Sequence, residues 1–183
     1  EIFFEGKEIS RHSTHERVKM GISRTYQIPR PFSEMSVTKN IRVGIMPDEI
    51  IRIISMNSQT DTERKIGKSV GFNKQALAMY PRELSMGDLR RLELARALAT
   101  NPKLLLLDEV FAGLTVGEIS ELSELLKNKR KEGLTFVIVS HDLKTLAPLV
   151  DRVVVVNFGQ LIAQGSFEDV IANKRVKEAY LGK

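Results

Sequence analysis

A run of four leucines that ends in two carboxylates constrains the fold of this chain more than any other feature: residues 104–107 are leucine, and Asp108 and Glu109 follow. A short, wholly apolar run is typical of a strand buried on both faces of a parallel sheet. Ser85 predicts the start of a helix ahead of it, because Asp88 follows three residues later and apolar residues then recur at helical spacing. A capped helix followed by a buried strand and terminal carboxylates is typical of nucleotide chemistry.

The next segment continues the alternation of strand and helix. We predict a strand over 103–107, a helix with an apolar face over 119–126 that ends at Gly133, and a second buried strand over 135–140. Parallel strands joined by a helix form a βαβ unit with a right-handed crossover. Asp108, Glu109 and His141 are therefore expected at the carboxyl ends of neighbouring strands, where open α/β sheets bind ligands.

Shorter elements are predicted on both sides of this unit, which makes the whole chain an α/β protein. They are a hairpin over 2–9, a helix over 13–20, a strand over 21–27, several short helices over 35–81, a hairpin over 153–165 and two terminal helices, the first capped by Ser166.

Composition limits the class of partner. The net charge is +5, but basic residues are scattered among acidic ones, so we expect no nucleic acid partner. The sequence contains no cysteine, which excludes disulfides and thiolate-bound metals. No stretch approaches the roughly 20 apolar residues of a membrane-spanning helix, so a role at a membrane would run through a partner.

The two carboxylates after the leucine run are expected to point to opposite faces of the strand, because strand side chains alternate in direction. In phosphoryl transfer Asp108 would support Mg²⁺, directly or through water, and Glu109 would orient and polarise the attacking water. Carboxylates after a strand are also common as solvated loop residues or helix caps. The buried strand and the capped helix before it favour the catalytic interpretation.

Three further positions are open to two interpretations. Ser85 and Gly87 begin a helix, and a helix amino terminus with a hydroxyl and an unhindered N–H is also an anion site suited to a γ-phosphate. His141 is either a surface histidine with satisfied hydrogen bonds or a group that bonds a γ-phosphate and the attacking water. Gln27 follows a predicted strand and is unremarkable by itself.

The segment Gly67-Lys68-Ser69 resembles the end of a phosphate-binding loop, but we predict a helix surface there. The loop pattern requires a glycine five positions before its second glycine, and Thr62 stands at that position. No buried strand leads into the segment either.

Together these segments resemble the ATP-binding subunits of ABC transporters over the whole chain. Under this resemblance Gln27 is the Q-loop glutamine, 84–88 the signature motif, 104–108 Walker B, Glu109 the catalytic base, 112–115 the D-loop and His141 the switch histidine. The segments 21–27, 32–37, 90–96 and 178–182 resemble the branched-chain amino acid importers in particular.

The resemblance implies a P-loop NTPase-type core, formed by 1–27 and 96–183, and a helical subdomain over 28–95 that carries the signature motif. It implies ATP and Mg²⁺ as ligands. The implied roles are catalysis by Glu109, His141 and Gln27, metal binding by Asp108 and Gln27, and nucleotide binding by Asp108, Thr115 and, across a dimer, Ser85 and Gly87.

The implied partners are a second ATP-binding subunit and integral-membrane permease subunits, which dock near Gln27. The chain is then peripheral on the cytoplasmic face of the cell membrane. Closure of the dimer on ATP and its opening after hydrolysis would drive transport. Departures from the family pattern include Asp88 for glutamine, which adds negative charge near the phosphate, and Thr115 for the usual acid or amide.

The largest departure is the absence of a Walker A loop, which the family pattern places before Glu1. We therefore expect a fold truncated at its amino end, and a polypeptide that is inactive on its own. A non-catalytic fragment or remnant stays open as an alternative. A DNA-repair or chromosome ATPase is disfavoured, because 28–84 is too short for a long coiled coil and shows no sustained heptads.

Overall fold

The computed structural model describes residues 1–46 and 60–181, and its contacts divide the chain into two units, residues 1–141 and residues from 142 onwards. The elements of the first unit are β1 (Phe3–Phe4), β2 (Lys7–Glu8), α1 (Thr14–Lys19), β3 (Ile22–Arg24), α2 (Val37–Ile45), α3 (Thr60–Ser69), α4 (Met86–Ala99), β4 (Leu104–Asp108), α5 (Val116–Lys131) and β5 (Thr135–Val139), with 3₁₀ turns at Ala76–Ala78 and Pro81–Glu83.

The second unit consists of a short helix, a hairpin and two further helices. It contains α6 (Leu143–Leu146), β6 (Val153–Asn157), β7 (Gln160–Gly165), α7 (Phe167–Ala172) and α8 (Lys174–Leu181). The antiparallel pairing of β6 with β7 confirms the predicted hairpin, and Ser166 caps α7 as predicted. No helix in the part of the chain that the structure describes is long and apolar enough to cross a membrane.

A parallel sheet organises the first unit. Its strands lie in the order β3-β4-β5, and the register pairs Arg24 with Leu106 and Asp108 with Val139. Because all three strands run in the same direction, the loops that follow them meet at one edge. The predicted α/β fold and the parallel pairing across the 103–140 segment are confirmed.

The predicted burial of these strands is wrong on one point. Leu105 and Leu107 are buried, but the alternating Leu104 and Leu106 are only half-buried. On β5, Val137 and Val139 are 51% and 57% exposed. The more exposed residues alternate along both strands, and the register pairs Leu106 with Val137, so these side chains share one face of the sheet, which is less covered than the other.

Most of the other elements lie close to the bounds that local sequence signals predicted. The β1–β2 hairpin and helix α1 agree with the hairpin predicted over 2–9 and the helix predicted over 13–20, and a capping box of Ser13 and Glu16 begins α1. The strand predicted over 21–27 is shorter, Ile22–Arg24, because the Tyr26 N–H bonds a glutamate side chain instead of a strand. The segment Gly67-Lys68-Ser69 lies in helix α3, as predicted, with Lys68 and Ser69 exposed, whereas Gly67 is buried against Leu77. Part of the helical prediction over 35–81 falls on 47–59, outside the described residues.

Helix α4 is the most buried helix of the first unit. Ser85 caps it, as predicted, and the side chains of Leu92, Leu94 and Ala95 are completely buried. Helix α2 approaches it closely at Gly44, where a Cβ atom would lie 2.6 Å from the Arg96 carbonyl oxygen. The small residue at this position therefore sets the distance between the two helices.

We expect Gly44→Ala to lower the free energy of unfolding by about 1–3 kcal/mol, because the added methyl group forces α2 away from α4. Gly117→Ala is the matched control, since a Cβ there meets nothing within 4 Å. Alanine at this helical position should stabilise the chain by roughly 0.5–1 kcal/mol. Urea unfolding of both variants measures the difference, and equal or higher stability of Gly44→Ala would contradict the packing argument.

Candidate functional site

The carboxyl edge of the parallel sheet brings Glu109 and His141 together. Glu109 follows β4 and donates its backbone N–H to the Val139 carbonyl at 2.9 Å, which ties the ends of β4 and β5 to each other. The His141 Nδ1 lies 2.9 Å from the Glu109 Oε1. The glutamate side chain is 17% exposed and the histidine 79%. A mostly buried carboxylate thus meets an accessible imidazole, an arrangement suited to moving a proton.

The backbone at Glu109 is unusual. Its φ is +49°, a left-handed conformation that residues with a Cβ seldom adopt. The Glu109 carbonyl accepts a hydrogen bond from the Arg90 Nη1 at 3.1 Å, so that a neighbouring helix holds the turn in place. Strained residues of this kind cluster at functional sites, where surrounding contacts maintain them.

Asp108 is partnered by a cation from the adjacent strand. The Arg24 Nη2 donates to the Asp108 Oδ2 at 3.1 Å, and the Asp108 N–H donates to the Thr25 Oγ1 at 3.3 Å. The Arg24 guanidinium also lies 4.9 Å from the centre of the Tyr26 ring. The sheet therefore places Asp108 beside Glu109, with its negative charge balanced by arginine.

The residues at this edge fit magnesium only in part. A carboxylate oxygen is the ligand that Mg²⁺ prefers, and the metal usually adds waters and substrate phosphates to one or two carboxylates. Among residues 1–46 and 60–181 no cluster of three or more acidic or histidine side chains could hold a metal by itself. Asp108 could therefore serve as one ligand of several, in exchange for its bond to Arg24.

Gln27 lies at the same edge of the sheet and is exposed. The Thr25 N–H donates to the Leu106 carbonyl at 2.9 Å, which continues the pairing of the chain with β4 up to two residues before Gln27. The assignment of Gln27 as a catalytic and metal-binding residue stays a prediction.

Ser85, Gly87 and Thr115 form a second group at the amino ends of α4 and α5. The Ser85 hydroxyl accepts the Asp88 N–H at 3.1 Å and donates to the Asp88 carboxylate at 2.8 Å. Gly87 is buried, and a Cβ atom on it would collide with the Glu118 carboxylate. The structure thus brings the predicted signature and D-loop segments together within one chain.

Thr115 is the amino-terminal cap of α5. Its N–H and its hydroxyl both donate to the Glu118 carboxylate at 2.8 Å, and its hydroxyl accepts the Glu118 N–H at 3.3 Å. The bonds from Thr115 hold the pKa of Glu118 below its ordinary value. Its predicted nucleotide-binding role stays a prediction, and the observed bonds are those of a capping box.

Two carboxylates lie near the amino terminus of α4. Asp88 bonds to Ser85 and Glu118 packs against Gly87. An entering phosphate would meet the repulsion of both charges as well as the attraction of the helix dipole. An anion bound there would therefore need either movement of Glu118 or further cations from elsewhere.

The sequence interpretation missed several residues that shape these two groups, namely Arg24, Arg90, Glu93 and Glu118. Only two of them carried a local signal. Glu118 stands three residues after Thr115, which is the spacing of a capping box. Glu93 stands four residues after Leu89, so that it interrupts the apolar face on which Leu89 lies.

Two protein families match this sequence. The family described as ABC transporter matches residues 1–112. The family described as branched-chain amino acid ATP-binding cassette transporter matches residues 160–183.

Known proteins match nearly the whole chain. A branched-chain amino acid transport ATP-binding protein LivG of Archaeoglobus fulgidus is 33% identical over 99% of this chain and 73% of its own length. The high-affinity LivG protein of Escherichia coli K12 is 35% identical over 90% of this chain and 69% of its own length. The solved structure of MJ1267, an ATP-binding cassette of an ABC transporter, matches with a TM-score of 0.82 at 29% identity and covers 97% of this chain and 75% of its own. The predicted fold class is thereby confirmed.

We expect Thr115→Ala to lower the free energy of unfolding by about 1 kcal/mol, because it removes the cap of α5, and Thr115→Ser to retain most of it. The pKa of Glu118 is lowered by these bonds, so their contribution is present above the ordinary glutamate pKa and is lost as the pH falls through the folded value. Urea unfolding between about pH 3 and 7 measures both effects. A Thr115→Ala variant as stable as the parent at neutral pH would contradict the capping role.

Proposed function

Because the chain belongs to the ABC transporter family of ATP-binding proteins, we propose that it is the ATP-binding and ATP-hydrolysing part of an importer for branched-chain amino acids. The observation that carries the proposal is the 2.9 Å contact of Glu109 with His141 at the carboxyl ends of parallel strands. Strand-end residues of this kind are where α/β sheets place ligands.

Glu109 would act as the general base. Arg90 holds the Glu109 backbone carbonyl and His141 contacts the Glu109 carboxylate, so the carboxylate can orient a water molecule and take up its proton. The exposed His141 ring would bond the γ-phosphate and the attacking water. Mg²⁺, when bound, would neutralise charge on the phosphates. Asp108 and Gln27 would hold that ion, partly through water.

The surface around Gln27 supports docking of a permease. Tyr26, Ile28 and Phe32 are large apolar side chains that are exposed on either side of it. A cluster of exposed apolar residues is typical of a protein interface. Docking on an integral-membrane partner would place the chain at the cytoplasmic face of the membrane.

A second ATP-binding subunit would complete the nucleotide site. The groups at the start of α4, Ser85 and Gly87, would face the ATP held by the other subunit, and Thr115 would lie at the same interface. Ser85 is exposed, which leaves it accessible to such a partner. Glu118 would move away from Gly87 on closure, since its carboxylate otherwise occupies the space beside the helix terminus.

The transported solute is proposed from two similarities. The LivG relatives are named for branched-chain amino acid transport, and the family that matches residues 160–183 carries the same description. The assignment is tested by measuring transport of leucine, isoleucine or valine by permease subunits co-assembled with a protein in which this chain follows a phosphate loop. Uptake of other solutes only would contradict it.

ATP binding by these 183 residues alone lacks one set of contacts. They contain no Gly-x₄-Gly-Lys-Ser/Thr loop, whose backbone N–H groups and lysine hold the phosphates. Three or four charge-assisted bonds from such a loop contribute about 5–10 kcal/mol to ATP binding. A micromolar ligand has only about 8 kcal/mol in total.

We therefore expect the 183-residue chain to bind ATP with a dissociation constant weaker than about 1 mM, the value that corresponds to about 4 kcal/mol. Isothermal titration with ATP and Mg²⁺ measures the affinity. A micromolar dissociation constant would contradict the argument about the missing loop.

In a protein in which this chain follows a phosphate loop, we expect Glu109→Gln to lower ATP turnover by about 10²- to 10⁴-fold and to leave ATP affinity nearly unchanged. The amide keeps the shape of the side chain but cannot accept the proton. Glu124→Gln is the matched control, because Glu124 is exposed on α5. Normal turnover of Glu109→Gln would remove Glu109 from the role of base.

A further inference from the structure

Three charged side chains lie on one face of α4 and reach backbone atoms of the loops around the candidate site. We call Arg90, Glu93 and Arg96 the polar stripe; their spacing of three residues places them on the same side of a helix. The bonds are Arg90 Nη1 to the Glu109 carbonyl at 3.1 Å, the Tyr26 N–H to the Glu93 Oε1 at 3.1 Å, and Arg96 Nη1 to the Arg30 carbonyl at 2.7 Å.

Glu93 is the central and most informative member of the polar stripe. It is 8% exposed, and burial raises the pKa of its carboxyl, although the Tyr26 N–H and the two neighbouring arginines act in the opposite direction. A buried carboxylate is costly unless it is hydrogen-bonded and accompanied by opposite charge. The donor that satisfies it is the backbone N–H directly before Gln27.

The polar stripe contacts the two segments that carry the predicted catalytic residues Glu109 and Gln27. Arg90 bonds the carbonyl of Glu109, whose left-handed backbone needs support from its surroundings. The Arg96 guanidinium lies 4.7 Å from the centre of the Phe32 ring and bonds the chain beyond Gln27. One rigid helix therefore contacts both segments that carry predicted catalytic residues.

We infer that Glu93 is a positioning residue for Gln27, and Arg90 a positioning residue for Glu109, so that both groups are fixed to the helix that begins at Ser85. The inference rests on the proposed function and extends it. In the proposed dimer the amino end of α4 faces the ATP of the other subunit. The polar stripe then links that site to the catalytic residues of its own chain through a single helix.

Amide hydrogen exchange in the ¹⁵N-labelled 183-residue chain tests the link at Glu93. We expect Glu93→Ala to speed exchange of the Tyr26 amide by about 10- to 100-fold, which is the loss of a hydrogen bond to a charged group. Glu93→Gln keeps an oxygen acceptor and should restore protection to within about threefold of the parent. Glu124→Ala, on the exposed face of α5, is the matched control.

The pH dependence of the Tyr26 amide separates positioning from general stability. In the parent its ¹⁵N–¹H shift should titrate with a midpoint above the ordinary glutamate pKa, because the acceptor is Glu93. The titration should vanish in Glu93→Gln. This readout holds even if Glu93→Ala fails to fold.

Two results would overturn the inference. One is a Tyr26 amide that exchanges at the parental rate in Glu93→Ala; the other is equal acceleration of all amides, including those of Leu105 and Leu107 in β4, which would indicate a loss of global stability alone. Failure of the proposed function looks different. It would appear as absent ATP turnover in a protein in which this chain follows a phosphate loop, while the Tyr26 amide still depends on Glu93.

Discussion

Parallel pairing of β4 with a strand on each side is the interaction on which the candidate site depends. The register of Asp108 with Val139 aligns the ends of β4 and β5, and the Glu109 N–H extends this pairing by one more bond. The pairing of β3 with β4 brings Thr25 against Asp108 in the same way. Residues far apart in the sequence thus meet because backbone hydrogen bonds fix where each strand stops.

The elements around the site were predictable where the signal is local. Each of three local signals, Ser85, the leucine run and Gly133, marks a boundary within a few residues, and the structure has the boundaries there. Burial of β4 and β5 was not predictable from the leucines and valines themselves, because it depends on what covers the sheet. Val137 and Val139 lie on one face of the sheet and are exposed despite their apolar sequence.

The contacts that shape the site are long-range, and no local pattern encodes them. Arg24 and Asp108 are 84 residues apart, and Tyr26 and Glu93 are 67 apart. Sequence alone predicted that Asp108 and Glu109 lie at the strand end, but it did not predict the cation that partners Asp108. The division of the chain at 27/28 and 95/96 stays a prediction, while helix α4 runs without a break through the second of these points.

The left-handed backbone at Glu109 has a consequence for how this protein tolerates change. At a φ of +49° a residue with a Cβ has a conformational free energy about 1 kcal/mol higher than glycine has. Selection for thermal stability alone would therefore replace glutamate at this position. Under the proposed role of Glu109 as the base, selection for turnover would retain it, so stability and catalysis would favour different residues at position 109.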